Sequence, residues 1–345
     1  MKKVKVMQIA CIYIGIIFGA GFASGQELIA FFLGHGLHGI FGIIFASILL
    51  TLAGWAIMDI CVRENLSTYR SFMAQIFGKK LGAILDIGTS IFIFIIFAAM
   101  LAGAGALGAE AWGLPFSFGV VVLALLCFII LLYDVKGLVE INTFISPILV
   151  IGSIFIGIYA IFNQTSPTYA QTLGNIVATW PFSAAIYASY NLLTAVAVFS
   201  SVPSLVTSRR VAFFGALAGG VTVAVLGVII SVAMLANHEL ISGLELPMLG
   251  LSMAYGNILG YLYIILLFLA IFTTAVANGF SCISWLKSRT SLNSLYIKLI
   301  VIILAIFIAH LGFSYIVGYA YRIFGYLGLY IMFAVIIHAL LRKKI

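Results

Sequence analysis

The feature that most constrains this chain is a succession of apolar segments joined by short polar connections. Ten such segments can be drawn along its 345 residues, and most approach the roughly 20 residues that a helix needs to cross a bilayer. Only 8% of the residues are charged, whereas a soluble domain carries about 25%. The sequence therefore predicts an all-α integral membrane protein with ten transmembrane helices, over residues 6–33, 39–61, 83–108, 116–133, 141–162, 182–206, 211–236, 258–285, 296–311 and 315–341.

The distribution of basic residues predicts an orientation. If the amino terminus is cytoplasmic, both termini and the inner connections hold nearly all of the lysines and arginines, and the outer connections hold none. Only Lys298 and Arg322 lie within or at the end of a span. A wrong number of spans would exchange the sides of the later connections, so this asymmetry also favours ten. We expect both termini to be cytoplasmic.

The first span carries a cluster of glycines that a continuous helix would not favour. Four glycines fall between Gly15 and Gly25, and each costs up to about 1 kcal/mol in a helix interior. Ser24, Gln26 and Glu27 add polar groups at membrane depth. We predict two half-helices, about 6–18 and 24–33, with an interruption that exposes backbone NH groups to an anion and carbonyls to a cation.

Ten spans divide into two halves of five, and the odd number inverts the second half relative to the first. The predicted halves are residues 1–162 and 182–345, joined by an extracellular connection at 163–181. Span six is the counterpart of span one, and its polar step from Ser189 to Asn191 predicts a second interruption. The alternative is an unbroken helix in which these side chains satisfy each other against a neighbour.

Span eight contains the group Ala270, Thr273 and Thr274. Residues three and four apart share a helix face, so one carbonyl and two hydroxyl oxygens can converge on a small volume. Neutral oxygen ligands suit a weakly held monovalent cation such as sodium. The alternative is that each threonine hydroxyl bonds the carbonyl one turn back, without an ion.

These motifs carry a resemblance to a known fold. Two interrupted helices at positions one and six, a 5+5 inverted repeat, Gly-x-x-x-Gly-Ala-Gly at 15–21 and Ala-x-x-Thr-Thr at 270–274 resemble the LeuT fold of the amino acid–polyamine–organocation superfamily. The run Tyr-Ala-Ser-Tyr-Asn-Leu-Leu-Thr-Ala at 187–195 is similar to span six of branched-chain amino acid carriers. Residues 19–27, Gly-Ala-Gly-Phe-Ala-Ser-Gly-Gln-Glu, resemble bacterial YkvI-like membrane proteins, which implies a multi-pass protein of the bacterial inner membrane.

The resemblance implies two binding sites. A sodium site would use the carbonyls of Gly15, Phe18 and Ala270 and the hydroxyls of Thr273 and Thr274. A substrate carboxylate would meet the NH groups of Gly19, Ala20 and Gly21 below Phe22, opposite Ser189, Tyr190 and Asn191. Some relatives couple to protons through a lysine in span five; this span five has none in its apolar run, so sodium is favoured and proton coupling is the alternative.

Two oppositely charged residues, Glu27 and Arg322, lie deeper inside predicted spans than the other charged residues. Glu27 is in the outer half of span one, and Arg322 is about two turns into span ten, at about 3.6 residues per turn. In the LeuT fold these helices approach each other at the outer gate, so we predict that Glu27 and Arg322 pair when that gate closes. The alternatives are a permanent pair and an arginine that reaches the membrane surface.

The predicted function is secondary active transport of a small amino-acid-like or amine-like solute, with sodium symport by alternating access. The alternatives are a ligand-sensing receptor of the germination-permease type, a proton-coupled carrier and a channel. No Walker motif, nucleophile–base pair or metal cluster is visible in the spans, so we expect no enzymatic activity and no organic cofactor. The expected partners are the solute and membrane lipid, without nucleic acid or an obligate protein partner.

Overall fold

The first predicted span is interrupted twice. The computed structural model describes residues 2–66, 68–132, 138–164, 179–200, 206 and 208–341, and of residues 2–4 and 138–146 it describes the backbone alone. Helix α1 (Lys2–Ile17) is followed by the short helices α2 (Ala20–Ala23) and α3 (Gln26–Phe31). Gly19 has an extended backbone, and Gly25 has a φ of 85°, in the left-handed region that glycine adopts at little cost. The predicted interruption is confirmed.

The remaining helices agree with the other predicted spans to within a few residues at most ends. Within the described residues, six helices are long and apolar enough to cross a membrane, and four shorter apolar helices accompany them. The helices are α4 (Leu37–Arg63), α5 (Tyr69–Trp112), α6 (Phe116–Leu132), α7 (Leu138–Phe162), α8 (Trp180–Phe199), α9 (Arg209–Ala236), α10 (His238–Ile241), α11 (Pro247–Ala254), α12 (Asn257–Lys287), α13 (Ser294–Ala309), α14 (Phe313–Tyr315) and α15 (Tyr321–Leu341), with a π-helical turn at Ile316–Ala320.

The predicted break at 189–191 is wrong, because α8 is a continuous helix through these residues. The Asn191 amide donates to the Tyr187 carbonyl at 3.0 Å, as a helix-compatible bond within one turn. The Ser189 hydroxyl lies 2.7 Å from the Ile186 carbonyl and 2.6 Å from the Gly325 carbonyl of α15. The polar side chains therefore bond carbonyls of an intact helix and its neighbour. Residues 201–205, after the end of α8, lie outside the described residues.

The helices form two groups that flank the interruption. Helices α1, α4, α8 and α9 pack against one another, and α5, α6, α12 and α13 form a second packed group. Helix α7 contacts α9 and α12, and α15 packs along α8. The short helix α2 contacts α12, so the interrupted backbone lies at the boundary between the two groups.

Glycine allows close approach where helices of the first group meet. The ring of Tyr13 in α1 is buried. A Cβ added to Gly219 of α9 would lie only 2.7 Å from the Cβ of Tyr13. A Cβ on Gly54 of α4 would also collide with this ring. Small residues at such positions let membrane helices gain van der Waals contact along their backbones. Tyr13 therefore fixes α1 against both α4 and α9.

The connection predicted at 163–181 lies largely in residues 165–178, outside the described residues, and the division into halves at 1–162 and 182–345 stays a prediction.

Between α4 and the third span, a helical segment begins at Tyr69 and ends at Gly78, whose φ is 75°. The Thr68 hydroxyl caps this segment by accepting from the Ser71 NH at 3.2 Å. The left-handed glycine turns the chain from this segment into the long apolar part of α5.

Candidate substrate and ion site

A cavity of about 210 Å³ lies at the interruption of the first span, and we call it the central cavity. Its walls come from α1 to α3 on one side and from α5, α8, α12 and α15 on the others. The lining residues are Gly15, Ile16, Ile17, Gly19, Ala20, Gly21, Glu27, Ile93, Ile96, Met100, Tyr190, Asn191, Thr194, Ala197, Val198, Thr274, Ala277, Asn278, Ser281 and Tyr321. The volume suits a small organic solute, and the wall is apolar with a few polar groups.

The structure brings five of the seven predicted substrate residues to this cavity, namely Gly19, Ala20, Gly21, Tyr190 and Asn191. The other two do not line it. Phe22 is buried with its ring 5.1 Å from that of Phe18. Ser189 points to α15, where it bonds the Gly325 carbonyl. The interruption and one face of α8 therefore meet, as predicted, while the neighbouring face of α8 has a packing role.

The predicted ion ligands are divided between the cavity and the helix interior. Gly15 and Thr274 line the cavity, and the Thr274 hydroxyl oxygen lies 4.0 Å from the position that a Cβ on Gly19 would occupy. Phe18, Ala270 and Thr273 do not line it. The Thr273 hydroxyl donates to the Leu269 carbonyl at 2.9 Å, which is the one-turn bond expected of a threonine inside a helix. Only Thr274 of the pair faces the interrupted backbone.

The far end of the interruption is held by groups that the sequence analysis did not single out. The Tyr263 hydroxyl of α12 donates to the Ala23 carbonyl at 2.5 Å, and the Met248 NH of α11 donates to the Ser24 carbonyl at 2.9 Å. Both carbonyls would otherwise be unbonded at a helix end. This end of the interruption is therefore rigidly bonded, while the end at Gly19 faces the cavity.

Two further cavity residues could have been found from spacing. Asn278 and Ser281 follow Thr274 by four and seven residues, so the three share one face of α12. All three line the central cavity. A polar stripe along one face of an otherwise apolar span is the signal that identifies them.

The predicted pair of Glu27 and Arg322 is not formed in this structure. Glu27 lines the central cavity, whereas Arg322 lines a second cavity of about 280 Å³. The Arg322 guanidinium donates to the Ala30 carbonyl and lies 5.6 Å from the centre of the Phe31 ring. The two side chains therefore face different cavities and have different partners.

A layer of aromatic rings separates the two cavities. The aromatic layer consists of Phe31, Phe92, Tyr187, Tyr190 and Tyr321. The Tyr190 ring centre lies 5.3 Å from that of Phe31, 5.4 Å from that of Tyr187 and 5.1 Å from that of Tyr321. Phe31 lines the second cavity, while Tyr190 and Tyr321 line the central one. Contact among these rings closes the central cavity on that side.

The opposite side of the central cavity is more open. Gly21 and Glu27, next to the aromatic layer, are buried, whereas Thr194 of α8 is part-exposed and Ser281 of α12 is exposed. These residues lie toward the end of the bundle at which α1 begins and α8 and α12 end. In the predicted orientation this is the cytoplasmic end.

Two proteins of Bacillus subtilis strain 168, the membrane protein YkvI and the protein YyaD, align with nearly the whole chain. YkvI is 29% identical over 345 residues, covering 99% of this chain and 97% of YkvI. YyaD is 26% identical over 332 residues, and the alignment covers 96% of this chain and 96% of YyaD. Over nearly its whole length, this chain is therefore similar to the membrane protein YkvI. No protein-family model matches this chain.

Two solved structures share the fold of this chain. A manganese transporter of Eremococcus coleocola, in complex with an aromatic bis-isothiourea compound, has a TM-score of 0.61 at 15% identity and covers 96% of this chain and 78% of its own. The inward-facing conformation of Mhp1 has a TM-score of 0.61 at 13% identity, with 98% and 77% covered. The predicted LeuT fold is confirmed. Among the described residues, no three His, Cys, Asp or Glu side chains form a metal-binding group.

Ion pairs of this YkvI-like protein join helices at the end where the central cavity opens. Asp59 of α4 is completely buried and pairs with Arg63 at 2.7 Å and with Arg209 of α9 at 2.6 Å. Asp86 of α5 pairs with Arg289, just after α12. The Arg209 pair joins α4 to α9 and the Arg289 pair joins α5 to the end of α12, whereas Arg63 pairs within α4. Over the described ranges, no ion pair links the two packed groups to each other. Electrostatic attraction therefore strengthens each group as a unit.

Proposed function

We propose that this YkvI-like protein is a secondary transporter of a small organic solute that works by alternating access. The observation that carries the proposal is the central cavity, which forms where the first span is interrupted between the two helix groups. Interrupted helices at the boundary of two bundles are the usual place for solute and ion sites in this class of transporter. The aromatic layer on one side and the open face on the other are what an inward-open state requires.

The transport cycle follows from the two cavities. The aromatic layer is the outer gate in this proposal, and it is closed in this structure by the contacts of Phe31 with Tyr187 and Tyr190. Opening it would join the second cavity, which contains Arg322, to the central one. The faces of α8 and α12 that carry Thr194 and Ser281 would then approach each other and close the other side. Each ion-paired helix group would move as a unit.

We infer that sodium is the coupling ion and that it binds between α1 and α12. Gly15 and Thr274 support this, because both line the central cavity and together offer a carbonyl and a hydroxyl oxygen. Phe18, Ala270 and Thr273 are the further ligands of the proposed site. The solute, amino-acid-like or amine-like, would meet the NH groups of Gly19, Ala20 and Gly21. The protein would lie in the bacterial inner membrane with both termini cytoplasmic.

Uptake into proteoliposomes tests the proposal. Purified protein is reconstituted and given a pool of labelled amino acids and amines, with an inward sodium gradient, with equal sodium and without sodium. We expect one solute class to accumulate above its external concentration only with the gradient. Thr274→Ala should weaken this dependence. Thr222→Ala is the matched control, because Thr222 is a part-exposed threonine of α9 that also bonds the carbonyl one turn back. Flux that only equalises concentrations would indicate a channel, and binding without flux would indicate a receptor.

A further inference from the structure

Glu27 is the only carboxylic acid, amine, guanidinium or imidazole side chain among the described residues that line the central cavity. Its residue is 6% exposed, and its Oε2 atom has no hydrogen-bond partner in the described part of the chain. It takes part in none of the ion pairs found there. A buried carboxylate without a counter-ion is unfavourable, and inside a membrane such a group marks a functional site.

The carboxylate is held against the interrupted backbone. A Cβ added to Gly21 would overlap the Glu27 side chain, with its Cδ atom at 2.9 Å, so the absence of a side chain at Gly21 is what makes room for it. The hydroxyl groups of Tyr187 and Tyr190 face the carboxylate and interact with it, but neither supplies a positive charge. Arg322, the nearest candidate counter-ion in the sequence analysis, is engaged at Ala30 in the other cavity.

Two tyrosine rings line the cavity together with this carboxylate, Tyr190 and Tyr321, with ring centres 5.1 Å apart. Tyrosine faces attract organic cations through the ring quadrupole. A carboxylate, phenol oxygens and aromatic faces in one pocket are complementary to a positively charged nitrogen that can both donate hydrogen bonds and contact a ring.

We propose that the transported solute carries an ammonium or guanidinium group and that Glu27 binds it, between the rings of Tyr190 and Tyr321. The inference rests on the proposed transport function and narrows its substrate class. A carboxylate on the same solute, placed at the NH groups beside Gly21, would lie against the Glu27 carboxylate, and like charges in a low-dielectric site repel strongly. The solute is therefore an amine without an adjacent carboxylate, rather than an α-amino acid.

Matched solutes test this inference on purified protein. Thermal shift and equilibrium binding are measured with isoamylamine, isoamyl alcohol and leucine, with phenethylamine, phenethyl alcohol and phenylalanine, and with agmatine and arginine. We expect an amine to bind at least tenfold more tightly than its alcohol or amino acid. Glu27→Gln, which keeps size and removes charge, should lower amine affinity at least tenfold. Glu239→Gln, at an exposed glutamate outside the cavity, is the control and should leave it unchanged.

The wild-type protein supplies a second readout that is independent of the folding of any variant. Binding of tetramethylammonium, whose charge does not change with pH, should weaken as acidification protonates Glu27. The groups that face Glu27 are Tyr187, Tyr190 and Tyr321, whose hydroxyls stay neutral over this range. An affinity for tetramethylammonium that does not fall as the pH is lowered would contradict binding by the Glu27 carboxylate.

Several outcomes would overturn the inference. Amino acids or alcohols that bind as tightly as the amines would do so, as would a panel in which no amine binds. Equal amine affinity in Glu27→Gln and wild type, with loss only of uptake driven by a pH gradient, would make Glu27 a proton carrier instead. Unchanged solute uptake by Glu27→Gln would contradict this inference and leave the proposed transport function intact. Amine binding that depends on Glu27 but is not accompanied by uptake would contradict the transport function and leave this inference intact.

Discussion

At the scale of single residues, polar groups inside this protein have two different kinds of surroundings. Ser189 and Thr273 bond carbonyls of their own helices or neighbours, which makes them part of the packing. Asp59 has two arginine partners at the bundle end. Glu27 has no partner of this kind and faces a cavity. For the buried carboxylates, a partner of opposite charge therefore separates Asp59, which has a structural role, from Glu27, which is a candidate functional residue.

The buried aspartate of α4 is expected to stabilise the helix group that it joins. Asp59→Asn should lower the free energy of unfolding by about 2 kcal/mol, because two charge-assisted contacts are lost. The arginines limit the cost, since Arg209 is 47% exposed and can be hydrated. Thermal unfolding in detergent measures the change. Asp86→Asn, whose partner Arg289 is also partly exposed, should cost about 1 kcal/mol or less, and a larger loss there would contradict this order.

Ser189 is expected to matter for packing and not for the solute. Ser189→Ala removes the hydroxyl that bonds the Gly325 carbonyl between α8 and α15, and should cost about 1 kcal/mol of stability. Solute affinity should stay within twofold of wild type. Asn191→Ala, two residues away on the cavity face, should weaken binding instead. Binding assays and thermal unfolding on both variants separate the roles, and a large affinity loss in Ser189→Ala would restore its predicted place in the site.

At the scale of elements, the interruption of the first span depends on one backbone conformation. Gly25 separates α2 from α3 with a φ of 85°, while the carbonyls just before it are bonded by α11 and α12. A side chain there would be strained, and its Cβ would lie 2.9 Å from the Met234 sulfur. The short helix α3, which carries Glu27, is therefore oriented by this glycine.

Gly25→Ala should destabilise the protein by about 1–3 kcal/mol, because alanine cannot adopt this conformation without strain. The displaced α3 should also lower solute binding. Gly34→Ala is the matched control, since a Cβ there would meet nothing within 4 Å and its φ is not in the left-handed region. Thermal unfolding and binding measure both effects. Equal stability of the two variants would show that the left-handed turn is not required.

At the scale of the whole molecule, two cavities lie on opposite sides of one aromatic layer. The central cavity reaches Ser281, and the second cavity reaches Gly34 and Arg322. The ion pairs strengthen the helix groups internally and leave the boundary between them without such links among the described residues. This arrangement permits the groups to move relative to each other at low electrostatic cost.

Cysteine labelling tests this arrangement and the orientation together. In a background without the four native cysteines, Ser281→Cys should react with an impermeant thiol reagent from the side of the amino terminus. Gly34→Cys should react from the opposite side, and it is the control for sidedness. Adding a bound solute and sodium should slow the labelling of Ser281→Cys severalfold. Labelling of both positions from one side would contradict the cavity assignment.

The membrane character, the helical segments and the interruption near Gly19 could all be predicted from the amino-acid sequence. Each of these follows from local patterns, because apolar length, glycine clustering and charge bias act within a segment. The resemblance to the LeuT fold also implied that Gly19, Ala20 and Gly21 would face a binding site, and in the structure these residues line the cavity with Tyr190 and Asn191.

Which polar groups lack a partner depends instead on contacts between segments that are distant in the chain. Within the intact helix α8, the Ser189 hydroxyl bonds the carbonyl of Gly325, which is 136 residues away in the sequence. No local sequence pattern predicts that contact. The separation of Glu27 from Arg322 depends on rings contributed by α3, α5, α8 and α15. The free energy of hydrogen bonds and packing between distant segments depends on the assembled fold. The sequence alone therefore could not predict that Glu27 would lack a counter-ion.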